Sequence, residues 1–335
     1  MVYTVRPRPL LQTIPFVESK KKEIVGGLPQ ENLLRQVRMM VKIVLTTDAA
    51  KVAGNGINPD GLSNIIKALR LKLGANDAQI DIDGWSSKVS TEIETGTPVF
   101  EDTITIPAAG SSTTLFLMLY MDFARFRQVL LDRSALFDNL SPSSTNIEIT
   151  WGAISDLITT PNDTYVNSSS EVTIELFEAF DTDSGAQDAL LKEERIDFKE
   201  SIERQLIDKA YSSFNKDTFQ FDALPAPAVI DQVLFTSRLD TEVRSDDIVT
   251  AVKLDNTQNV GFNIAEWNDF DTIHRSNKTE YGLETLKTGV AYIDLTDIID
   301  GGFQNLKKET NKWRMLTVAP SAGKKNILDI WARYI

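Results

Sequence analysis

Few residue types in this chain can do chemistry. There is no cysteine and a single histidine, His274, so composition excludes a thiolate nucleophile, a cysteine metal site and a multi-histidine metal cluster. The densest polar spacing is Gln79-Ile-Asp81-Ile-Asp83-Gly84, which has the alternating carboxylates of a calcium loop. Gln79 stands at the first ligand position and Ser90 at the twelfth, where Asp and a bidentate Glu are required, so the pattern reads as strand carboxylates facing water. With 48 acidic residues, any pair chosen as the acid and base of a glycosidase is uninformative. Asn139, Asn162, Asn167 and Asn277 each head an Asn-x-Ser/Thr triplet, which matters only in a secretory pathway. No phosphate-binding loop, dinucleotide fingerprint or Ser/His/Asp order is present. No cofactor and no metal are expected, and the chain reads as something other than an enzyme.

What remains is electrostatic. Arg6, Arg8, Lys20, Lys21 and Lys22 face only Glu18 and Glu23 within the first 23 residues, a surplus of +3 in a chain of net charge -13. Prolines 7, 9 and 15 discourage regular structure there, so residues 1–27 are expected to be an arm. A solvated flexible terminus and a basic arm that touches an anionic surface are both consistent with it. The acidic remainder argues against a free or sequence-specific nucleic-acid binder. The start of the chain lacks the apolar run of a signal peptide, and no 18 consecutive apolar residues occur, so synthesis in a cytoplasm is expected.

The elements that carry these residues repeat. Leu62–Trp85 returns as Asp246–Trp267: Ile65, Ile66, Ala68, Leu69 and Leu71 match Ile248, Val249, Ala251, Val252 and Leu254, then Ile80, Ile82 and Trp85 match Phe262, Ile264 and Trp267. The alignment slips by one residue between Gly74 and Asp77, so each copy reads as strand, turn, strand. Leu69, Leu71 and Leu73 share the inner face of the first strand, with Arg70 and Lys72 opposite them. Further matches follow in order: 28–37 with 224–233, Tyr120–Phe123 with Tyr292–Leu295, the strand NIEITWG at 146–152 with one around Trp313 to Val318, and 171–180 with 326–335. The segment TTLFLMLYMDF, apolar on both faces, is expected in the middle of a sheet. VFEDTITIP before it is expected as a short strand, 124–139 as a helix with IIDGGFQNLKK as its weaker counterpart, and part of the stretch around Ile202, Leu206 and Ala210 as an amphipathic helix.

These matches divide the chain into an arm (1–27), a first unit (28–183), a helical or extended connector (184–223) and a second unit (224–335). Each unit has the short alternating strands of a sandwich, and its length suits eight of them. The expected class is mainly β: two tandem eight-stranded jelly-roll sandwiches with a few short helices.

With the tandem repeat, the helices expected after each Tyr-x-Asp strand, the Asn146–Gly152 strand and the leading arm in view, the chain resembles the double jelly-roll major capsid proteins of tailless icosahedral viruses with an internal membrane. In size it is similar to the small members from corticovirus-like or finnlakevirus-like phages. The resemblance implies a homotrimer whose six barrels make a pseudo-hexagonal capsomer, with strands upright in the shell. It further implies neighbouring capsomers and a vertex (penton) protein as partners, a place in the virion, and an arm lying against the inner membrane. A tandem carbohydrate-binding or glycan-hydrolysing sandwich is the alternative. All five tryptophans fall in strand-like segments rather than in one cleft, which favours the capsid reading.

Overall fold

The computed structural model describes residues 3–48, 56–74, 77–123, 137, 139, 143–159, 161, 163–181, 207–214, 218–221, 228–239, 243–256, 262–267, 288–294, 304–306, 311–317 and 326–334. The chain divides into two compact units, one of Met1–Glu94 and Pro98–Ile202, the other of Glu203–Ile335 together with Thr95–Thr97.

The first unit contains strands β1 (Tyr3–Pro15), β2 (Lys21–Glu23), β3 (Leu33–Thr47), β4 (Ile66–Leu73), β5 (Asp77–Ile82), β6 (Ser112–Asp122), β7 (Thr145–Trp151), β8 (Thr164–Val166) and β9 (Glu171–Asp181). They form two sheets, in the orders β1-β9-β3-β6 and β2-β7-β4-β5, with the short β8 alongside β3. The second unit contains β10 (Ile207–Phe214), β11 (Thr218–Phe221), β12 (Ala228–Leu239), β13 (Val243–Arg244), β14 (Val249–Asn256), β15 (Phe262–Trp267), β16 (Val290–Asp294), β17 (Gln304–Leu306), β18 (Asn311–Thr317) and β19 (Asn326–Tyr334). Its main sheets run β10-β19-β12-β16 and β11-β18-β14-β15, with β13 and β17 also pairing β12. If β8, β13 and β17 are set aside, the strands of each unit can be numbered one to eight in chain order. Both units then have the sheets 1-8-3-6 and 2-7-4-5. This is one jelly-roll map used twice.

Period-two alternation builds these sheets. On β3, Val37, Met39, Val41, Ile43 and Leu45 are fully buried while Arg38, Met40 and Lys42 face out. Leu115, Leu117, Leu119 and Met121 on β6 and Val172, Ile174 and Leu176 on β9 complete that inner face. Leu69, Leu71, Ile80, Ile82, Ile147 and Ile149 are buried from the other sheet. Ring contacts fill the ends of the sandwich. Phe16 meets Trp151 edge to face at 5.2 Å, and Phe123 stacks on Phe137 at 4.8 Å.

Several expectations are corrected. Residues 1–27 are not an arm, because β1 and β2 are the first two strands of the first jelly roll. The β1 register runs from Tyr3 opposite Asp181 to Pro15 opposite Glu171, with an irregularity between Pro9 and Thr13. The prolines fit because β1 is an edge strand, where a residue without N–H is tolerated if that position points away from the only neighbour. The second jelly roll likewise begins at Ile207, not at residue 224. Ala210 lies in β10, paired with Ile330, and is not helical; residues 184–206 lie outside the described residues.

β6 is not central: among the described residues it is the outer strand of its sheet, flanked by the extended segment around Glu101. That segment, expected as a strand, makes a single bridge, with the Met118 and Asp102 N–H groups donating across to Phe100 and Phe116. Gln304–Leu306, expected in a helix, forms β17 against β12. Of the helix expected over 124–139, only Phe137 and Asn139 are described.

A helix the sequence reading missed, α1, spans Gly84–Thr95. Asp83 caps it, accepting hydrogen bonds from the Ser86 N–H at 2.8 Å and the Ser86 hydroxyl at 3.0 Å. Gly84 has no room for a side chain, since a Cβ would sit 2.5 Å from the Ser63 carbonyl oxygen. Trp85 is therefore helical, whereas Trp267 ends a strand. Leu69 faces Ile82 in the first hairpin and Val252 faces Trp267 in the second, so the two tryptophans are not equivalent although the hairpins are.

If β1 is a core strand, shortening Ile14 must cost core energy. Ile14→Ala should lower the unfolding free energy by about 2–5 kcal/mol in urea titrations, and deletion of residues 2–22 should abolish cooperative unfolding of the first unit. A tolerated deletion would restore the arm.

Candidate functional site

Of the five basic residues singled out in the sequence, Arg6 and Arg8 lie on β1, Lys21 and Lys22 on β2, and Lys20 in the turn between them. Alternation on β1 places Arg6 and Arg8 on one side. Glu178, near the end of β9, is 1% exposed, accepting from Arg6 Nη2 at 3.1 Å and Arg8 Nη1 at 3.0 Å. Arg8 also reaches Glu31 at 2.5 Å, and the hydrogen bonds it donates to Glu31 and then Glu178 raise its already high pKa. These cations tie the first strand to the last.

Lys21 belongs to a second cluster, on the outward face of β2-β7-β4-β5. Glu148 of β7 is wholly buried there beneath Lys21 at 2.8 Å, Lys72 at 2.6 Å and Arg70 at 3.0 Å. Arg70 in turn donates to Asp81 at 2.9 Å. Burial alone would raise the Glu148 pKa, but the hydrogen bonds from Lys21, Lys72 and Arg70 outweigh it and bring it down from 4.5 to about 2. Lys20 lies in the turn before β2, and Lys22 is half-buried opposite Ile149. Neither forms an ion pair with another described residue. The expected set is thus split: Arg6 and Arg8 on Glu178, Lys21 on Glu148, Lys20 and Lys22 apart. Sequence reasoning missed Glu148 and Glu178. Arg70 and Lys72 on the outward face were the available signal that a buried anion lay between strands.

The calcium-like spacing is absorbed by structure, with Asp81 paired to Arg70 and Asp83 spent as a helix cap. Among the described residues no group of three or more His, Asp or Glu side chains could hold a metal ion, and no helix is long and apolar enough to cross a membrane. Lys88 of α1 is 3% exposed and paired with Glu101, which also accepts from the Ser63 N–H at 2.9 Å; this buried pair fastens the helix to the sandwich. Asn139 is fully buried and donates to the Pro29 carbonyl, so it cannot take a glycan. Asn167 is half-buried, its Oδ1 accepting from the Ser169 N–H at 2.9 Å. Asn162, Asn277 and His274 lie outside the described residues. Trp85, Trp151 and Trp331 are buried, so none offers a platform for a sugar ring.

A carboxylate whose folded pKa is depressed stabilises the fold above its unfolded pKa and loses that contribution as pH falls through the folded value. For Glu148 the window is pH 4.5 to about 2. At about 1.4 kcal/mol per pH unit, Glu148→Gln should cost on the order of 3 kcal/mol at pH 7. The gap from wild type should close below pH 2, as read from denaturant unfolding at a series of pH values. An equal deficit at pH 2 and pH 7 would show that the charge is not what stabilises.

No protein-family model matches the sequence, and no curated protein matches it as a relative. Solved structures do. The major capsid protein of STIV, the Sulfolobus turreted icosahedral virus, superposes with a TM-score of 0.72 at 14% identity, over 99% of this chain and 97% of that one. The Faustovirus major capsid protein gives 0.60 at 7% identity, over 100% of this chain and 90% of that one. The major capsid protein of bacteriophage PM2 gives 0.57 at 10% identity, over 99% and 98%. A chain of two consecutive 1-8-3-6/2-7-4-5 sandwiches that superposes end to end on these proteins has the fold of the double jelly-roll major capsid proteins.

Proposed function

We propose that this protein is a major capsid protein, a structural component of the virion and not an enzyme. It trimerises into pseudo-hexagonal capsomers that tile an icosahedral shell around an internal membrane and the viral genome. The observation that carries the reading is the duplicated strand map, in a chain whose superposition covers 99% of its own length and 97% of the STIV major capsid protein. Two similar barrels in one chain give three copies six similar lobes, so a threefold oligomer packs as a near-hexagon. Sheet extension is blocked where it would be harmful: prolines 7, 9 and 15 lie on the outer strand β1, and the Phe100–Asp102 segment flanks β6. Contacts between copies then run through faces and loops.

The reading includes two further partners and a place of synthesis. A six-lobed capsomer does not fit a fivefold position, so a separate vertex protein closes the shell there. The internal membrane is met through basic residues, a role narrowed to Lys20 and Lys22 because Arg6, Arg8 and Lys21 already have buried carboxylate partners. The chain is made in the host cytoplasm.

Light scattering on purified protein should give three times the chain mass of 37.4 kDa, and electron micrographs of concentrated protein or of its source particle should show hexagonal units. A stable monomer or dimer in assembly buffer would count against the trimer. For the membrane contact, Lys20→Glu with Lys22→Glu should reduce flotation with anionic vesicles by about tenfold or more at low salt, given about 1 kcal/mol per basic residue near such a surface. Flotation that persists in the variant, or is insensitive to salt, would remove the membrane from the list of partners.

A further inference from the structure

The outward face of the β1-β9-β3-β6 sheet is ordered in both directions. Along the cross-strand register three consecutive rows are Pro9–Glu175–Arg38–Tyr120, Thr13–Thr173–Met40–Met118 and Pro15–Glu171–Lys42–Phe116, with Pro7–Phe177–Gln36–Asp122 as the row before them. In the first and third rows the positions differ in kind: prolines on β1, carboxylates on β9, cations on β3, and aromatic rings on β6. Arg38 pairs with Glu175, and Lys42 with Glu171 at 3.3 Å, so each charged row is neutral within itself. Between the charged rows runs an uncharged one, threonine on β1 and β9 and methionine on β3 and β6, continued past β6 by Phe100, which stands opposite Met118. Met40 is 40% exposed and Phe100 56%.

We propose that this face binds the same face of a second copy of the chain, across a twofold axis that runs parallel to the strands between β9 and β3. That operation exchanges β9 with β3 and β1 with β6 while keeping every row at its level. Glu175 and Glu171 then lie over the partner's Arg38 and Lys42, Pro9 and Pro15 over the partner's Tyr120 and Phe116, and Thr173 over the partner's Met40. Cations meet carboxylates and aromatic rings meet proline rings, so the face is complementary to itself.

Charge selects this occupant over an anionic one. The chain carries a net -13, so two copies repel except where the surface is locally balanced, as here; a lipid or nucleic-acid surface would gain nothing from cations already paired. Four strands spaced by about 4.8 Å and three to four rows give roughly 500 Å² per copy, or about 1,000 Å² in all. That is the lower limit for a specific interface, too small for an obligate dimer but sufficient for a contact repeated many times in a shell. Resting on the capsid reading, the contact is assigned to neighbouring capsomers rather than to subunits of one trimer, because a threefold ring does not contain a twofold axis.

The absence of cysteine makes the test direct. In assembled material Met40→Cys should be joined to its symmetry mate by a short bis-maleimide, whereas Thr150→Cys, on the outward face of the other sheet, should not. The charge-reversed variants Arg38→Glu/Lys42→Glu and Glu171→Lys/Glu175→Lys should each associate at least about tenfold more weakly than wild type, and an equimolar mixture should recover association. Rescue separates contact from folding, since each variant chain has lost the same internal ion pairs whether alone or mixed. No link at Met40→Cys, or no recovery on mixing, overturns the contact. Shells that form undiminished from either variant overturn it while leaving the capsid reading intact. Linking and rescue in a protein that never forms shells would uphold the contact and overturn that reading.

Discussion

The first jelly roll depends on the pairing of its first strand with its last. β1 and β9 are joined from Tyr3 opposite Asp181 to Pro15 opposite Glu171, so nearly the whole unit must be threaded before either strand finds its neighbour. Loop-closure entropy makes such a contact slow and costly to form. Local propensity offers little help, because β1 carries three prolines and two arginines. What holds it is chemistry specific to the pair. Arg6 and Arg8 converge on the buried Glu178 at one end, while Ile14 and Phe16 enter the core at the other. Burying Glu178 without those cations would be strongly unfavourable, so the carboxylate acts as a register pin as well as a tie.

The other sheet of that sandwich uses the same device. Glu148 sits on the outward face of β7 and is nevertheless fully covered, because Lys21, Arg70 and Lys72 from the strands on either side close over it. Their aliphatic stems provide the cover and their charged ends remain at the surface. In both sheets a carboxylate on a late strand is met by cations from earlier ones, β1 for Glu178 and β2 and β4 for Glu148, so a chain with a large negative surplus commits part of its positive charge to closing the fold. The basic N-terminal segment is therefore a structural resource first. Its net charge is a poor guide to what it can bind.

On the capsid reading, a subunit that meets many copies of itself also has to avoid joining them by sheet extension. The outer strands are handled differently at the two ends of the β1-β9-β3-β6 sheet: prolines deprive β1 of donors, and the segment from Phe100 to Asp102 lies along β6. The faces are left available, and their polar rows are neutralised in place. Directed face contacts with weak individual strength suit a shell better than edge contacts, which are strong and have no natural stopping point.

Strands whose environment repeats at period two are legible along the chain. β3–β7 and β9 and their counterparts β12, β14–β16, β18 and β19 can be read along the chain, most of them by alternation, and their recurrence in order revealed two copies of one sandwich; β8, β13 and β17 cannot. Alternation also marks the inward face, as Leu69, Leu71, Ile80 and Ile82 show. That β1, β2, β10 and β11 are strands at all follows from the folded sheets alone. Their residues are prolines, charges and a helix-like spacing at Ala210, and what makes them extended is pairing with β9, β7, β19 and β18, far away in the chain. The same holds for the tryptophans: a matched spacing placed Trp85 and Trp267 together, but Asp83 caps a helix in one copy while the strand continues in the other. Alternation is a local consequence of backbone geometry and can be read along the chain, whereas an edge strand is defined by the partner that supplies its hydrogen bonds, and that partner is fixed only when the sheet closes.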